Sequence, residues 1–347
     1  MFEKDSTMNS PLNADSSPSS SPAITAAATA GENRRVAVIG AGNVGAATAY
    51  ALLHSPVVRE VVLVDSNAGK AEGEAMDLSH AAPLGPPVLV RAGGYEDAAS
   101  SAIAVVTAGA GGKPGESRLD LLGRNAPIVR ECVANLREHG FNGVLLVVTN
   151  PADVLARLAW EASGLPTERV IGSGTLIDTA RLRQALGEAL RVEPRAVHAY
   201  VLGEHGDSEV AAFSCAHVAG VPLEQFARRV NVSLAWGDIA EQVRRSAHEV
   251  VARKGHTAFA IASSVARICE AVLRDEHAVL AVSTRLSGQY GGIHDVYLGT
   301  PCVVGANGIE RVIELPLDEN EQAALRASAD VLAQAIQSLN ETGLASS

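Results

Sequence analysis

Arg35-Val36-Ala37-Val38-Ile39-Gly40-Ala41-Gly42-Asn43-Val44-Gly45 is the stretch that decides the fold of this 347-residue chain. The short β-branched run from Arg35 to Ile39 predicts a strand, and Ala46 to Leu53 after the glycines predicts a helix. In such a strand, turn and helix unit the first glycine, Gly40, permits a tight turn. The second, Gly42, lets backbone approach a pyrophosphate, and the third, Gly45, lets helix pack close to strand. The helix N-terminus then faces the phosphates, with Asn43 and Val44 completing the loop. The spacing alone is weak evidence, but a second predicted strand, Glu60 to Val64, ends in Asp65, twenty residues past the last glycine. An acid at that point accepts hydrogen bonds from an adenosine ribose and repels a ribose phosphate, which favours NAD over NADP.

Further apolar runs follow at Val88 to Arg91, Ile103 to Ala108, Val144 to Thr149 and Arg169 to Ile171, with helix-like segments before and between several of them. Six strands of this kind predict a doubly wound parallel sheet. Its ligand-binding edge would carry Gly40, Asp65, Ala108 with Gly109, and Asn150. Asn150, before Pro151, either contacts substrate or nicotinamide or serves as a turn or cap. The polar, glycine-rich stretch Gly109 to Arg118 reads as a mobile lid. Arg118 at its end is placed to bring a guanidinium over a carbonyl oxygen as charge develops there, the alternative being a solvated loop arginine.

The second half holds a histidine in a turn. Gly203-Glu204-His205-Gly206-Asp207-Ser208 follows the strand-like run Ala196 to Leu202, and histidine gives or takes a proton near neutral pH. Upstream, Gly172 to Arg183 opens a helix on which Asp178 and Arg181, three apart, share a face. A carboxylate meeting His205 would fix its tautomer and favour the imidazolium, while an arginine beside it would grip a substrate carboxylate through two hydrogen bonds. With an NAD lobe and a lid arginine, these are the parts needed to reduce a 2-oxo acid. Arg183 lies about 200° around the helix from Arg181 and faces elsewhere, where His198 could join it in a separate anion site. Thr257, after Lys254-Gly255-His256, reads first as a helix cap and second as a ligand contact. Long helices are expected at 221–252 and 257–274, a β-hairpin from Asp295 to Val304 and Ile309 to Leu315, and a final amphipathic helix from Asp318. The expected fold class is therefore α/β, a Rossmann-type doubly wound sheet followed by a C-terminal α+β substrate domain, divided at 33–172 and 173–347.

Composition narrows the function classes. The net charge of −11 argues against nucleic acid or an anionic membrane as partner. Aromatic residues are only 3% of the chain against 47% hydrophobic, so the core must be Ala, Val, Leu and Ile, as suits parallel strands under helices. Cys132, Cys215, Cys269 and Cys302 form no C-x-x-C pair, which fits a reducing cytosol and a role as small apolar fillers. No internal repeat, P-loop or metal-ligand cluster is evident, so no metal is expected. Residues 1–32, rich in Ser, Pro, Ala and Asn, are expected to be a disordered tail and lack the features of a secretory or mitochondrial leader. No segment reaches the roughly 20 apolar residues needed to span a bilayer. A cytoplasmic location follows.

The motifs G-A-G-N-V-G, K-P-G-E-S-R-L-D-L-L, T-N-P, G-S-G-T-x-x-D-T-A-R-L-R and G-E-H-G-D-S occur in the order found in the lactate/malate dehydrogenase family. From Arg34 to about Leu339 the chain resembles its bacterial L-lactate dehydrogenase branch. That resemblance implies NADH-dependent, reversible reduction of pyruvate at the end of glycolysis, with His205 as proton donor and acceptor, Asp178 as its partner, Arg181 as carboxylate clamp and Arg118 as lid arginine. Asn150 and Thr257 match further substrate-pocket positions. Arg183 and His198 match the pair that binds fructose 1,6-bisphosphate between subunits of a tetramer in allosteric members. One departure stands out: Gly112 occupies the place where lactate-specific members carry glutamine and malate-specific ones arginine. Without that arginine an oxaloacetate carboxylate lacks its counter-charge, although Lys113 is adjacent, and burying it unpaired costs several kcal/mol. The emptied space instead suits longer apolar 2-oxo acids, at about 1–3 kcal/mol per methylene. The adjacent glycines Gly291 and Gly292 are a second departure. A non-catalytic NAD-binding sensor is the remote alternative, disfavoured by the presence of all four core site residues.

Overall fold

Strand residues Val36, Val38, Val61, Leu63, Ile103, Val105 and Leu146 point to one face of a sheet, and Ala37, Ile39, Val62, Val64, Ala104, Val106, Leu145 and Val147 to the other, all of them buried. Alternation of this kind, apolar on both sides, requires helices on both faces. The computed structural model describes residues 33–112 and 118–341, apart from the side chains of Arg118 and Asn340. The expected disordered tail at 1–32 and the lid residues Lys113 to Ser117 lie outside the described residues.

The elements in the first half are β1 (Arg35–Ile39), α1 (Asn43–Leu53), β2 (Glu60–Val64), α2 (Ala68–Ala81), β3 (Leu89–Ala92), α3 (Tyr95–Ala99), β4 (Ile103–Val106), α4 (Arg118–Glu138), β5 (Val144–Val147), α5 (Ala152–Ser163) and β6 (Val170–Gly172). Their six strands pair parallel in the order β3-β2-β1-β4-β5-β6. This is the expected Rossmann-type sheet.

The second half adds α6 (Leu176–Leu190), the short strands β7 (Val197–His198), β8 (Val201–Leu202), β9 (Val210–Ala211), β10 (His217–Val218) and β11 (Val221–Pro222), then α7 (Leu223–Arg229), α8 (Trp236–Lys254), α9 (Phe259–Leu273), β12 (Ala278–Ser287), β13 (His294–Gly305), β14 (Gly308–Val312) and α10 (Glu319–Glu341). Strands β12, β13 and β14 extend the six-stranded sheet to nine, with β12 meeting β6 at Ser283 and Gly172. One core cluster packs α4, α5 and α10 on one face, and a second packs α1, α2 and α9 on the other. A third lies between α6, α7 and α8 and the small strands.

Four expectations need correction. The long helix at 221–252 is two helices, because Val221 and Pro222 pair with β10 and Asn231 takes a left-handed φ of 56°, which ends α7 before the turn to α8. The run Ala196 to Leu202 is also two strands, since β7 pairs with β10 while β8 pairs with β9. No strand is expected at Ala278–Ser287, yet the apolar run Ala278 to Val282 opens β12, which pairs with β13 just across the turn at 288–293 and with the distant β6 at one position. Thr257 does not cap α9, whose N-cap position is Ala258 without any side-chain cap bond. Gly291 and Gly292 both have positive φ, 77° and 103°, and form the turn between β12 and β13. Cys132, Cys269 and Cys302 are buried and Cys215 partly so, all four as free thiols.

Candidate active site

The glycine turn after β1 has the geometry its spacing implies. Gly40 takes a φ of 105°, a conformation glycine adopts without steric cost. A Cβ on Gly45 would run into the Gly40 carbonyl oxygen, whereas one on Gly42 would meet nothing within 4 Å. Backbone at Gly42 therefore faces open space beside the N-terminus of α1, which has no side-chain cap bond. Its N–H groups can face an anion. Asp65 at the end of β2 holds the turn, accepting from Ala41 N–H at 2.7 Å and from Asn67 N–H at 2.9 Å. These residues fit the diphosphate and ribose of a dinucleotide.

Hydrogen bonds carry the same sheet edge toward the second half. Thr107 Oγ1 donates to the Gly40 carbonyl at 2.8 Å, and Thr149 Oγ1 donates to that of Ala108 at 2.7 Å. Gly109 has no room for a side chain, because its Cβ would collide with Thr149. Asn125, buried on α4, accepts from Ala110 N–H at 2.7 Å and donates to the carbonyls of Ala110 and Asn150. It ties the root of the glycine-rich loop to the end of β5. The side chain of Asn150 is exposed at that edge. Gly112 is exposed, and among the described residues a Cβ there would touch only Leu121 Cδ2, at 3.9 Å. Arg118 begins α4, and its side chain lies outside the described residues.

Just past β5, Asp153 in the first turn of α5 accepts from the His205 backbone N–H at 2.9 Å. The His205 ring meets α6, with Nδ1 2.6 Å from Asp178 Oδ2, while Arg181 donates to Asp178 Oδ1 at 2.8 Å. Asp178 is 1% exposed. Burial alone would lower the basicity of His205, but the Asp178 charge and hydrogen bond outweigh it, with Asp153 adding to them, and lift the imidazole to about 9. Burial alone would raise the Asp178 carboxyl, but His205 and Arg181 hold it below the usual carboxylate range. Glu209, buried at the end of the same turn, is pushed up to about 8 by burial and by the Asp178 charge. The turn is pinned from its other side by Ser328 of α10, whose Oγ accepts from Glu204 N–H at 2.8 Å and lies 2.9 Å from Ser208 Oγ.

Arg183 and His198 lie together away from this site. Arg183 Nε donates to the Ala199 carbonyl at 3.0 Å with its guanidinium 5.0 Å from the Tyr200 ring centroid. His198 is exposed and stacks on His217 at 4.8 Å. Partial burial and the charges of His217 and Arg183 lower its basicity. Thr257 is half-buried just ahead of α9. Sequence reasoning missed Asn125, Asp153, His217, Glu209 and Ser328. The available hint for Asp153 was an acid in the first helical turn after Asn150-Pro151. The fold also brings Asp275 and His277, two residues apart, against Glu310 in one exposed group whose side-chain types could ligate a metal ion. His277 Nε2 sits 3.2 Å from Glu310 Oε1 there.

A glycine turn built for a dinucleotide, joined through β5 and α5 to a histidine clamped between carboxylates and backed by an arginine, is the layout of an NAD-dependent dehydrogenase. Residues 34–172 match the model of the lactate/malate dehydrogenase NAD binding domain, and residues 175–342 match that of the lactate/malate dehydrogenase alpha/beta C-terminal domain. The chain belongs to the lactate/malate dehydrogenase family. It is 48% identical to an L-lactate dehydrogenase of Moorella thermoacetica over 88% of this chain and 98% of that protein. It is 44% identical to L-lactate dehydrogenase 1 of Clostridium acetobutylicum, over 89% and 99%. Among solved structures, the minor L-lactate dehydrogenase of Enterococcus mundtii in its ligands-bound form superposes with a TM-score of 0.85 at 40% identity, covering 88% of this chain and 98% of that one.

Proposed function

We propose that this protein is an L-lactate dehydrogenase, reversibly reducing pyruvate with NADH in the cytoplasm at the end of glycolysis. The observation that carries the reading is the Arg181–Asp178–His205 relay, centred on buried Asp178, with bonds of 2.8 Å and 2.6 Å. When bound, NADH supplies the hydride for C2 of the 2-oxo acid. Because Nδ1 of His205 is held by Asp178, the transferable proton resides on Nε2, and a basicity lifted to about 9 keeps it there at neutral pH. Arg181 uses one nitrogen on Asp178 and has further donors for the substrate carboxylate. Arg118, at the lid end of α4, is assigned to the carbonyl oxygen, and Asn150 and Thr257 to the pocket wall. Lid closure excludes water and strengthens these charges.

Gly112 sets the choice of substrate. With Leu121 as its nearest side-chain neighbour among the described residues, that position supports pyruvate or longer apolar 2-oxo acids over oxaloacetate, the adjacent Lys113 being the cation that would reverse the preference. The grouping of Arg183 with His198 supports an anion site for fructose 1,6-bisphosphate, completed between subunits of a homotetramer. The test is NADH oxidation with saturating fructose 1,6-bisphosphate, comparing kcat/KM for pyruvate, oxaloacetate and a straight-chain series of 2-oxo acids. The highest value is expected for pyruvate. A maximum at longer chains would make the enzyme a broader L-2-hydroxy-acid dehydrogenase, and one at oxaloacetate would overturn the reading. His205→Ala should abolish turnover while NADH still binds, and unchanged turnover would refute the mechanism.

A further inference from the structure

Asp153 is 2% exposed, and no arginine or lysine among the described residues makes an ion pair with it. Its Oδ1 has no hydrogen-bond partner among the described residues. Oδ2 accepts the backbone N–H of His205 at 2.9 Å, and the cation whose charge acts on its carboxyl is the His205 ring. A buried carboxylate without a cationic partner is costly to ionise. Ionised Asp153 and protonated His205 therefore support each other. We propose that Asp153 is a positioning residue for His205, tethering its backbone and supplying, beside Asp178, a second buried negative charge that favours the imidazolium.

The surroundings define what else acts on the ring. Asp178 and Arg181 face it from α6, and Glu209 from its own turn. Arg244 of α8 acts on Glu209. Burial pushes the Asp153 carboxyl up, while the Ser283 hydroxyl on β12 and the His205 N–H and charge oppose that rise. As part of the first turn of α5, Asp153 also complements the positive end of that helix. A role confined to the helix would leave the proton affinity of His205 untouched, and this separates the two accounts.

The inference rests on His205 being the proton donor, and the experiment separates the two claims. Pyruvate reduction by the full-length protein is followed from about pH 6 to about pH 10, a range bracketing the ordinary and raised histidine values, for wild type, Asp153→Asn and Asp153→Ser. NADH binding by fluorescence titration reports whether each variant is folded. Both variants are neutral, and Asp153→Asn retains an oxygen for the His205 N–H while the shorter serine does not reach it. In each, the alkaline limb of kcat/KM should move about one unit toward acid, so that the loss relative to wild type is about tenfold greater at the alkaline end than at the acid end. An unmoved limb in either variant that binds NADH overturns the proposal. His205→Gln is the control for the parent reading. If its residual activity keeps the wild-type limb, the assignment of His205 fails, and with it the role of Asp153. If the limb disappears there yet stays in place in the Asp153 variants, only the proposal about Asp153 fails.

Discussion

Asp178 uses both carboxylate oxygens, one on Arg181 and one on the His205 ring, so in the proposed mechanism it aims the clamp and charges the acid together. Asp178→Asn keeps the shape and removes the charge. Since the proposed reduction of a 2-oxo acid needs protonated His205, activity should be lost as pH rises through the imidazolium pKa. The substitution should move that alkaline limb about one to three units toward acid, the range seen when an opposite charge is removed from contact. Rate profiles in both directions check this, because oxidation of the 2-hydroxy acid needs neutral His205 and should gain at lower pH. Asp178, Arg181 and His205 were legible in the sequence because helix spacing and a motif carry them. Asp153 and Ser328 were not. They reach the catalytic turn through backbone N–H groups across 52 and 124 residues of chain, and a bond to backbone imposes no pattern on the sequence at its far end.

At the scale of elements, the turn between β1 and α1 separates packing from binding within one motif. Gly45 has no room for a methyl group and Gly42 has open space. Gly45→Ala should therefore destabilise the fold by about 1–3 kcal/mol or more through overpacking. Gly42→Ala should leave the melting temperature close to wild type while weakening NADH binding, because the methyl group would project where phosphate must approach. Calorimetry and NADH titration on the two variants together test the contrast, and weaker stability in Gly42→Ala with NADH affinity unchanged would contradict it. The strand, turn and helix order of this half could be read because each parallel strand is followed by its own crossover. The second half resisted because β7 to β11 are only two residues long each. Pro222 sits in one of them, whereas β12 pairs mainly with its next neighbour β13 and was legible in its apolar run Ala278 to Val282.

For the molecule as a whole, the buried titratable groups set how stability depends on pH. His205 is raised to about 9 and Glu209 to about 8, so the native state holds protons that the unfolded chain releases. The His205 contribution is fully present below its unfolded pKa and lost as pH rises through about 9. That of Glu209 follows the same sign and is lost toward about 8. Asp178, held low, acts oppositely and withdraws its contribution only as pH falls through its depressed value. Stability should decline by on the order of a few kcal/mol between neutral pH and about pH 9.5. Thermal unfolding across that range should show the slope, and Asp178→Asn should flatten it.

The continuous sheet has a consequence for how the chain can be divided. In the nine-stranded order β6 is an interior strand, covered on its far side by β12 from the second half. Severing the polypeptide after Gly172 would turn it into a naked border with unsatisfied N–H and C=O groups, flanked by Leu155, Ala156 and Ala159, which are now buried. Such a border recruits any strand it meets. The dinucleotide-binding half is thus protected from self-association by the part of the chain that carries His205.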